Sequence, residues 1–326
     1  MSQGLLEFDG DVISNVVDCP DVGLHRDIPF EAYAAWNAVN SGVIKWGMVS
    51  PKHFHAAYNG DLKSEDSAAM KLGRAVHCML LEPETFESRF ITSSNCSAKI
   101  ASGPRKGEFC GKRGSLMAAS GDWYCGVHQP AELAEHGMEV ISADQYQQCV
   151  GMRESLKSHP AMKLLRRKGW SEVSIVWELH GLKMKGRLDR GSLEGSRPMI
   201  LDIKKCRVGK GTKEECERSV LNYGYHIQAA GYVRGVEQLT GTRPEFLWVF
   251  VEDNPPYDIQ ILPMDETCFD VGWHEVNRIV EHYTTCVTRN NIHGYIHFYG
   301  DGPEDNTIKS GGLPLWYLKQ QMRGME

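Results

Sequence analysis

The sequence predicts a mixed α/β (α+β) fold, with helices around a set of β-strands and one Cys/His-rich insert. Three observations carry this expectation. Period-two patterning is concentrated between residues 171 and 262, and helical patterning occupies 67–81, 223–239 and 266–289. Residues 91–130 fit neither pattern and hold Cys96, Cys110, Cys125 and His128. The chain therefore divides into a helical part (1–90), the insert (91–130), and a core with the C-terminal tail (131–326).

The 326 residues suffice for one large domain with an insertion, and 41% hydrophobic with 24% charged residues is an ordinary globular composition. No apolar run approaches the roughly 20 residues that span a bilayer, so no membrane association is expected. The opening MSQGLLEFDGDVI lacks a basic stretch followed by an apolar one. A cytoplasmic location follows as an expectation, with the ten cysteines reduced and available as metal ligands or small buried groups. A net charge of −6 disfavours polyanion binding over the whole surface. Basic residues nevertheless cluster at Lys163, Arg166, Arg167 and Lys168, and from Lys204 to Lys213, where local phosphate binding is feasible.

Taken in order, residues 1–25 form a polar lead-in, and Ile28 to Ala57 suggests two short helices, one starting at Ser50-Pro51 with the serine as cap. Ser67 to Leu81 is a helix with Ala69, Leu72, Val76 and Leu80 in one stripe, stopped by Pro83. His77 sits beside that stripe with Arg74 one turn earlier, and taken alone reads as a structural histidine. In the insert, Cys125-x-x-His128 has zinc-ligand spacing, and Cys96 and Cys110 complete a Cys₃His set. A structural zinc would supply the folding free energy that so polar a segment lacks. Residues 131–168 are expected to be helical. The strand SEVSIVWEL follows, with Glu172 expected as an exposed strand-end residue.

The centre of the chain is Gly186 to Lys205. Leu182, Met184 and Leu188 alternate with Lys183, Lys185, Arg187 and Asp189, and Met199, Leu201 and Ile203 alternate with Ile200, Asp202 and Lys204. Gly191, Gly195 and Pro198 mark the expected turn between two strands. Asp202 and Lys204 project side by side, and Asp189 can meet them from the neighbouring strand. Carboxylates on an apolar strand are costly to desolvate unless they bind something, and a divalent cation is the natural candidate. A helix from Tyr223 to Leu239 then carries Gln228 and Tyr232 on one face. Two more strands, a helix from Glu266 to Arg289, and the tail LPLWYLKQ complete the chain.

The order GRAVHCMLLEP, E-x-S-I-x-W, GRLD, ILDIKK and GYHIQAAGY resembles the RecE-type exodeoxyribonuclease (exonuclease VIII) family of the PD-(D/E)XK nucleases, found in phages and prophages. The resemblance runs from Ile28 to the LPLWY tail, interrupted by the insert. It implies a central mixed β-sheet flanked by helices. It places the family's active-site histidine on His77, its first metal-binding aspartate on Asp189, its D-x-K pair on Asp202 and Lys204, and its Q-x-x-x-Y on Gln228 and Tyr232. Mg²⁺ or Mn²⁺ is then expected on His77, Asp189, Asp202 and the Ile203 carbonyl, with Lys204, its pKa lowered, positioning or deprotonating a water. Ser50, Lys52 and Arg74 are the expected 5′-phosphate contacts. The family further implies 5′→3′ digestion of one strand of linear duplex DNA, 3′ overhangs for a RecT-like annealing protein, a ring-like homo-oligomer, and the bacterial host cytoplasm. Lys205 departs from the family's usual threonine, and the insert lies outside the motif. Two other readings stay open: a RecB-like or CRISPR-associated nuclease of different polarity, with cysteines holding an iron–sulfur cluster, and a catalytically silent DNA-binding or anti-restriction protein.

Overall fold

The computed structural model describes residues 18–294, apart from 63–66, 136, 161, 194 and 196. The tail carrying LPLWYLKQ lies outside the described residues. In chain order the elements are β1 (Gly23–His25), α1 (Phe30–Ala35), α2 (Ser41–Gly47), α3 (Pro51–Tyr58), α4 (Ala68–Leu81) and α5 (Phe86–Arg89). The insert region has β2 (Phe90–Ser93), β3 (Leu116–Met117), β4 (Trp123–Tyr124) and β5 (Glu139–Ser142). The remainder comprises α6 (Ala143–Ser158), α7 (Met162–Leu165), β6 (Trp170–Leu179), β7 (Leu182–Ser192), β8 (Met199–Cys206), α8 (Lys213–Asn222), α9 (Tyr225–Thr240), β9 (Glu245–Glu252), β10 (Ile259–Pro263) and α10 (Glu266–Thr288).

Six strands form one sheet in the order β1-β6-β7-β8-β9-β10. Only β8 and β9 run parallel, because α8 and α9 form the crossover between them; the other neighbours are antiparallel. Strand alternation sends two sets of side chains to two cores. Ile200, Phe246, Trp248 and Phe250 pack with residues of α2, α3, α9 and α10. Met199, Leu201, Ile203, Leu247, Val249 and Val251 pack with α4 and α6 on the opposite face. A sheet covered on both faces explains why EFLWVFVE is apolar at nearly every position instead of alternating with polar residues.

The sheet forks at its middle. β7 and β8 pair at Ser192–Met199, Gly191–Ile200 and Arg190–Leu201, and then part. The edge of β7 that this opens is occupied by Val39: its N–H donates to Lys183 O (2.9 Å) and its carbonyl accepts from Lys185 N (2.7 Å). Lys185 is buried and donates from Nζ to the carbonyls of Tyr33, Ala34 and Trp36 at 3.0, 2.9 and 2.7 Å. The Tyr33 and Trp36 carbonyls also accept from Trp36 N and Ala38 N, and the added ammonium contacts tie the end of α1 to the fork.

Several expectations are corrected. Three short helices, α1–α3, replace the two expected before residue 58. The described residues between 131 and 142 are not helical: β5 pairs in parallel with β2, and Ser142 caps α6 through a capping box with Gln145, so the helix begins at Ala143. Gly191 is not a turn residue but an interior residue of β7, where any Cβ would collide with the Trp170 ring. Because β2 and β5 lie side by side, the insert leaves the fold after Ser93 and the chain rejoins it beside the same strand at Glu139.

Candidate active site

Asp189 stands where β7 leaves β8. Its Oδ2 accepts a hydrogen bond from Ile203 N at 2.7 Å, replacing the strand pairing lost at the fork. His77 reaches the same peptide from α4, with Nε2 donating to Ile203 O at 3.0 Å. Its Nδ1 faces Asp189 Oδ1 at 3.4 Å and Glu172 Oε1 at 3.9 Å. The ligand atoms of His77, Glu172 and Asp189 all lie within 4.8 Å of one another.

Glu172 corrects the expectation of an exposed strand end. Its side chain is 12% exposed and lies between the pairs Ser171–Arg190 and Val173–Leu188, which places it opposite Asp189. Its φ is +51°, a conformation that non-glycine residues adopt at a cost. Arg187 Nε donates to its other oxygen, leaving Oε1 toward the histidine. E-x-S at the start of a strand was the available sequence signal; only the cross-strand register shows that the glutamate turns inward.

Asp202 is 2% exposed, and its buried Oδ2 has no hydrogen-bond partner; Lys204 Nζ stands 2.7 Å from it in an ion-pair contact. Burial, reinforced by Asp189, pushes the Asp202 carboxyl up to about 6 against the pull of Lys204. Asp189 moves the other way: burial would raise it, but the His77 charge, Lys204 and the Ile203 N–H together hold it below the usual carboxylate range. Two neighbouring carboxyls driven apart in this way are a feature of working acid–base sites. Burial would lower His77, yet Asp189 and Glu172 hold it well above an ordinary histidine, so an imidazolium occupies the cationic position among the acids. Lys204 is likewise raised, because Asp202 and Asp189 outweigh its burial.

The Gln228–Tyr232 pair is present: Gln228 Nε2 donates to the Tyr232 hydroxyl at 3.0 Å. Tyr232 lies against Gly186 of the GRLD stretch, where an added Cβ would come within 2.5 Å of its ring. Lys45, in the last turn of α2, is a residue that sequence reasoning missed. Its Nζ lies 5.8 Å from the Tyr225 ring centroid, and Lys204 Nζ lies 4.7 Å from the same ring. Burial and the Lys204 charge lower its pKa. Nothing in GVIKWG distinguishes it from a surface helix lysine.

The expected phosphate contacts do not converge. Ser50 is fully buried and caps α3, accepting from His53 N. Arg74 donates from Nε and Nη2 to the Glu139 carboxylate. Lys52 is exposed at the start of α3, in the layer across the sheet from the α4 layer that carries Arg74. A single pocket from these three side chains is therefore not formed.

In the insert, Cys96, Cys110, Cys125 and His128 do converge, with all donor atoms within 4.8 Å. His128 Nδ1 is 3.6 Å from Cys96 Sγ and 3.6 Å from Cys125 Sγ, and Cys110 Sγ is 3.9 Å from Cys125 Sγ. A tetrahedral ion with metal–sulfur bonds of about 2.3 Å and metal–nitrogen bonds of about 2.0 Å has S···N edges of about 3.5 Å and S···S edges of about 3.8 Å. Backbone N–H groups of His128 and Val127 draw the Cys125 thiol down to about 6, so it is readily a thiolate.

The family model of the PDDEXK-like domain of unknown function (DUF3799) matches residues 40–293. The chain belongs to that family. The match covers the fork, α4 and α9, and the mixed sheet flanked by helices is the PDDEXK-like fold. A crystal structure from Eubacterium rectale, named "Putative exonuclease", superposes with a TM-score of 0.51 at 16% identity over 86% of this chain and 92% of its own, a likeness of fold. A second solved structure, SSO0001, reaches a TM-score of 0.26 at 18% identity over 44% of this chain and 63% of its own, too low to carry an argument. No curated protein sequence matches the chain significantly. Among the described residues, no helix is long and apolar enough to cross a membrane.

Proposed function

We propose that this PDDEXK-like protein is a metal-dependent DNA exonuclease that digests one strand of linear duplex DNA. The observation that carries the reading is the constellation at the fork: His77, Glu172 and Asp189 within reach of one another, and Asp202 with Lys204 beside them. Mg²⁺ or Mn²⁺ suits this donor set, since oxygen atoms dominate it and the buried Asp202 carboxylate stands against the Lys204 ammonium with further lone pairs to offer an ion. His77, Glu172, Asp189 and Asp202, with the Ile203 carbonyl, would hold the ion. When bound, it neutralises phosphate charge and acidifies a bound water.

The chain's own groups have separable tasks. Lys204, 2.7 Å from Asp202 Oδ2, is placed to meet phosphate or to position a water. The Tyr232 hydroxyl accepts from Gln228, which fixes its own proton for donation elsewhere. Arg187 orients Glu172, and His77 must surrender its Nδ1 proton before that nitrogen can ligate.

The 5′→3′ polarity, the 3′ overhangs, a RecT-like annealing partner, the ring-like homo-oligomer and a bacterial cytoplasmic setting rest on the RecE-type resemblance alone. The insert's Cys₃His geometry supports a structural zinc, and one histidine among four contiguous ligands disfavours an iron–sulfur cluster.

Digestion of linear duplexes labelled at the 5′ or 3′ end, with and without Mg²⁺, tests the reading. Release of 5′-label first, dependent on the cation and abolished in Asp202→Ala, is expected. Wild-type digestion by that variant, or none by the folded wild-type protein with any divalent cation, would overturn it.

A further inference from the structure

A third cluster of metal-type donors lies at the far end of α10. His282 and Cys286 are four residues apart and share one face of the helix. After α10 the chain reverses at Asn290 (φ +51°), with Asn291 N donating to Cys286 O at 2.9 Å. That reversal brings His293 back onto the helix, its ring centroid 5.2 Å from that of His282 at an interplanar angle of 64°. Donor atoms of His282, Cys286 and His293 lie within 4.8 Å of one another, with His282 Nε2 3.9 Å from Cys286 Sγ.

We propose that His282, Cys286 and His293 form a zinc site distinct from both the fork and the insert. Two imidazoles and a thiol without a carboxylate select a borderline-soft ion, not Mg²⁺. Three protein donors leave one tetrahedral position for water. Cys286 and His293 are buried and His282 is partly exposed, which gives the ion an entry side. The end of α10 supplies a favourable field, because the C-terminal carbonyls of a helix attract cations. Along α10, Glu281 precedes His282 and Arg289 follows Cys286 by three residues, while Arg278, one turn before His282, is paired with Glu275 at 2.8 Å.

Packing alone accounts less well for the cluster. Core corners are ordinarily filled by apolar side chains, whereas this one holds the buried His293 imidazole against a half-buried His282. The site also has a mechanical role to play. His293 O accepts from Lys52 N at 3.0 Å, and Tyr283 stacks on Phe54 with ring centroids 4.1 Å apart. Zinc here would fasten the chain after α10 to the start of α3, in the helical layer that also carries Lys45.

Zinc analysis of the full-length protein tests this independently of nuclease activity. The parent is Cys110→Ser/Cys125→Ser, in which the insert ligands are disrupted. It should retain one tightly held zinc per chain, and Cys286→Ser and His282→Gln added to it should each release that ion. Cobalt substitution of the same parent should give a thiolate-to-cobalt charge-transfer band that disappears in Cys286→Ser. Circular dichroism of His282→Gln guards against loss of the ion through misfolding. Zinc-free parent protein that stays zinc-free on titration with Zn²⁺, or unchanged zinc in the folded His282→Gln variant, overturns the proposal.

Discussion

The Tyr232 ring occupies the space that a side chain on Gly186 would need, 2.5 Å from an ideal Cβ position. Glycine at that position of β7 is thus what lets α9 bring its hydroxyl to the fork. Gly186→Ala should push the ring away, costing about 1–3 kcal/mol of stability as an overpacked core does. Nuclease activity should fall further than that loss accounts for, which steady-state digestion alongside denaturant unfolding will measure. Equal effects of Gly186→Ala and Tyr232→Phe on digestion would link the two positions directly.

Glu172 should matter as much as the aspartates. Glu172→Gln keeps the shape and the Arg187 contact but removes the charge facing His77. Mn²⁺ affinity, measured by calorimetry, should drop roughly 10- to 100-fold, and digestion with it. An unaltered affinity would place Glu172 outside the ion's reach.

The acid side of the pH profile follows from Asp202 and His77. Asp202 titrates at about 6, so below that pH it is protonated and a poor ligand. His77, held above its ordinary value, carries a proton that a cation must displace. Both effects have the same sign: cation affinity and digestion rise with pH through about 6 and above. A profile flat from about pH 5 to 8 would contradict this assignment.

Lys45 is expected to act on substrate through its charge. Lys45→Met preserves the stem that packs beside Gly224 and Tyr225 while deleting the ammonium. Digestion should slow on the order of 10²-fold, as for loss of one preorganised donor, with little change in melting temperature. Lys45→Arg, which restores the charge, should recover part of the rate.

Removing metal from the insert should unfold that segment and little else. Cys110→Ser should release the insert's zinc and render that segment protease-sensitive, while the sheet keeps its circular-dichroism signal. Mass mapping of the first cleavage sites will decide whether they fall between β2 and β5.

Much of this protein was determined by local sequence. Alternation alone sets Leu188 opposite Asp189 in β7 and Ile200 opposite Leu201 in β8, and the Ser67–Leu81 stripe places His77 on a helix, because periodicity of 2 or 3.6 is set by the backbone. The convergence of Cys96, Cys110, Cys125 and His128 was also legible, since thiols and imidazole in a polar segment have few other uses. What only the tertiary structure decided concerns pairs far apart in the chain. The fork between β7 and β8, the inward turn of Glu172, the arrival of Lys45, the engagement of Arg74 with Glu139, and the burial of Ser50 all depend on strand register and helix packing. Asp202 becomes a weak acid and His77 a strong base for the same reason: the shifts arise from burial and from charges brought in by other elements, and neither quantity is written at the residue itself.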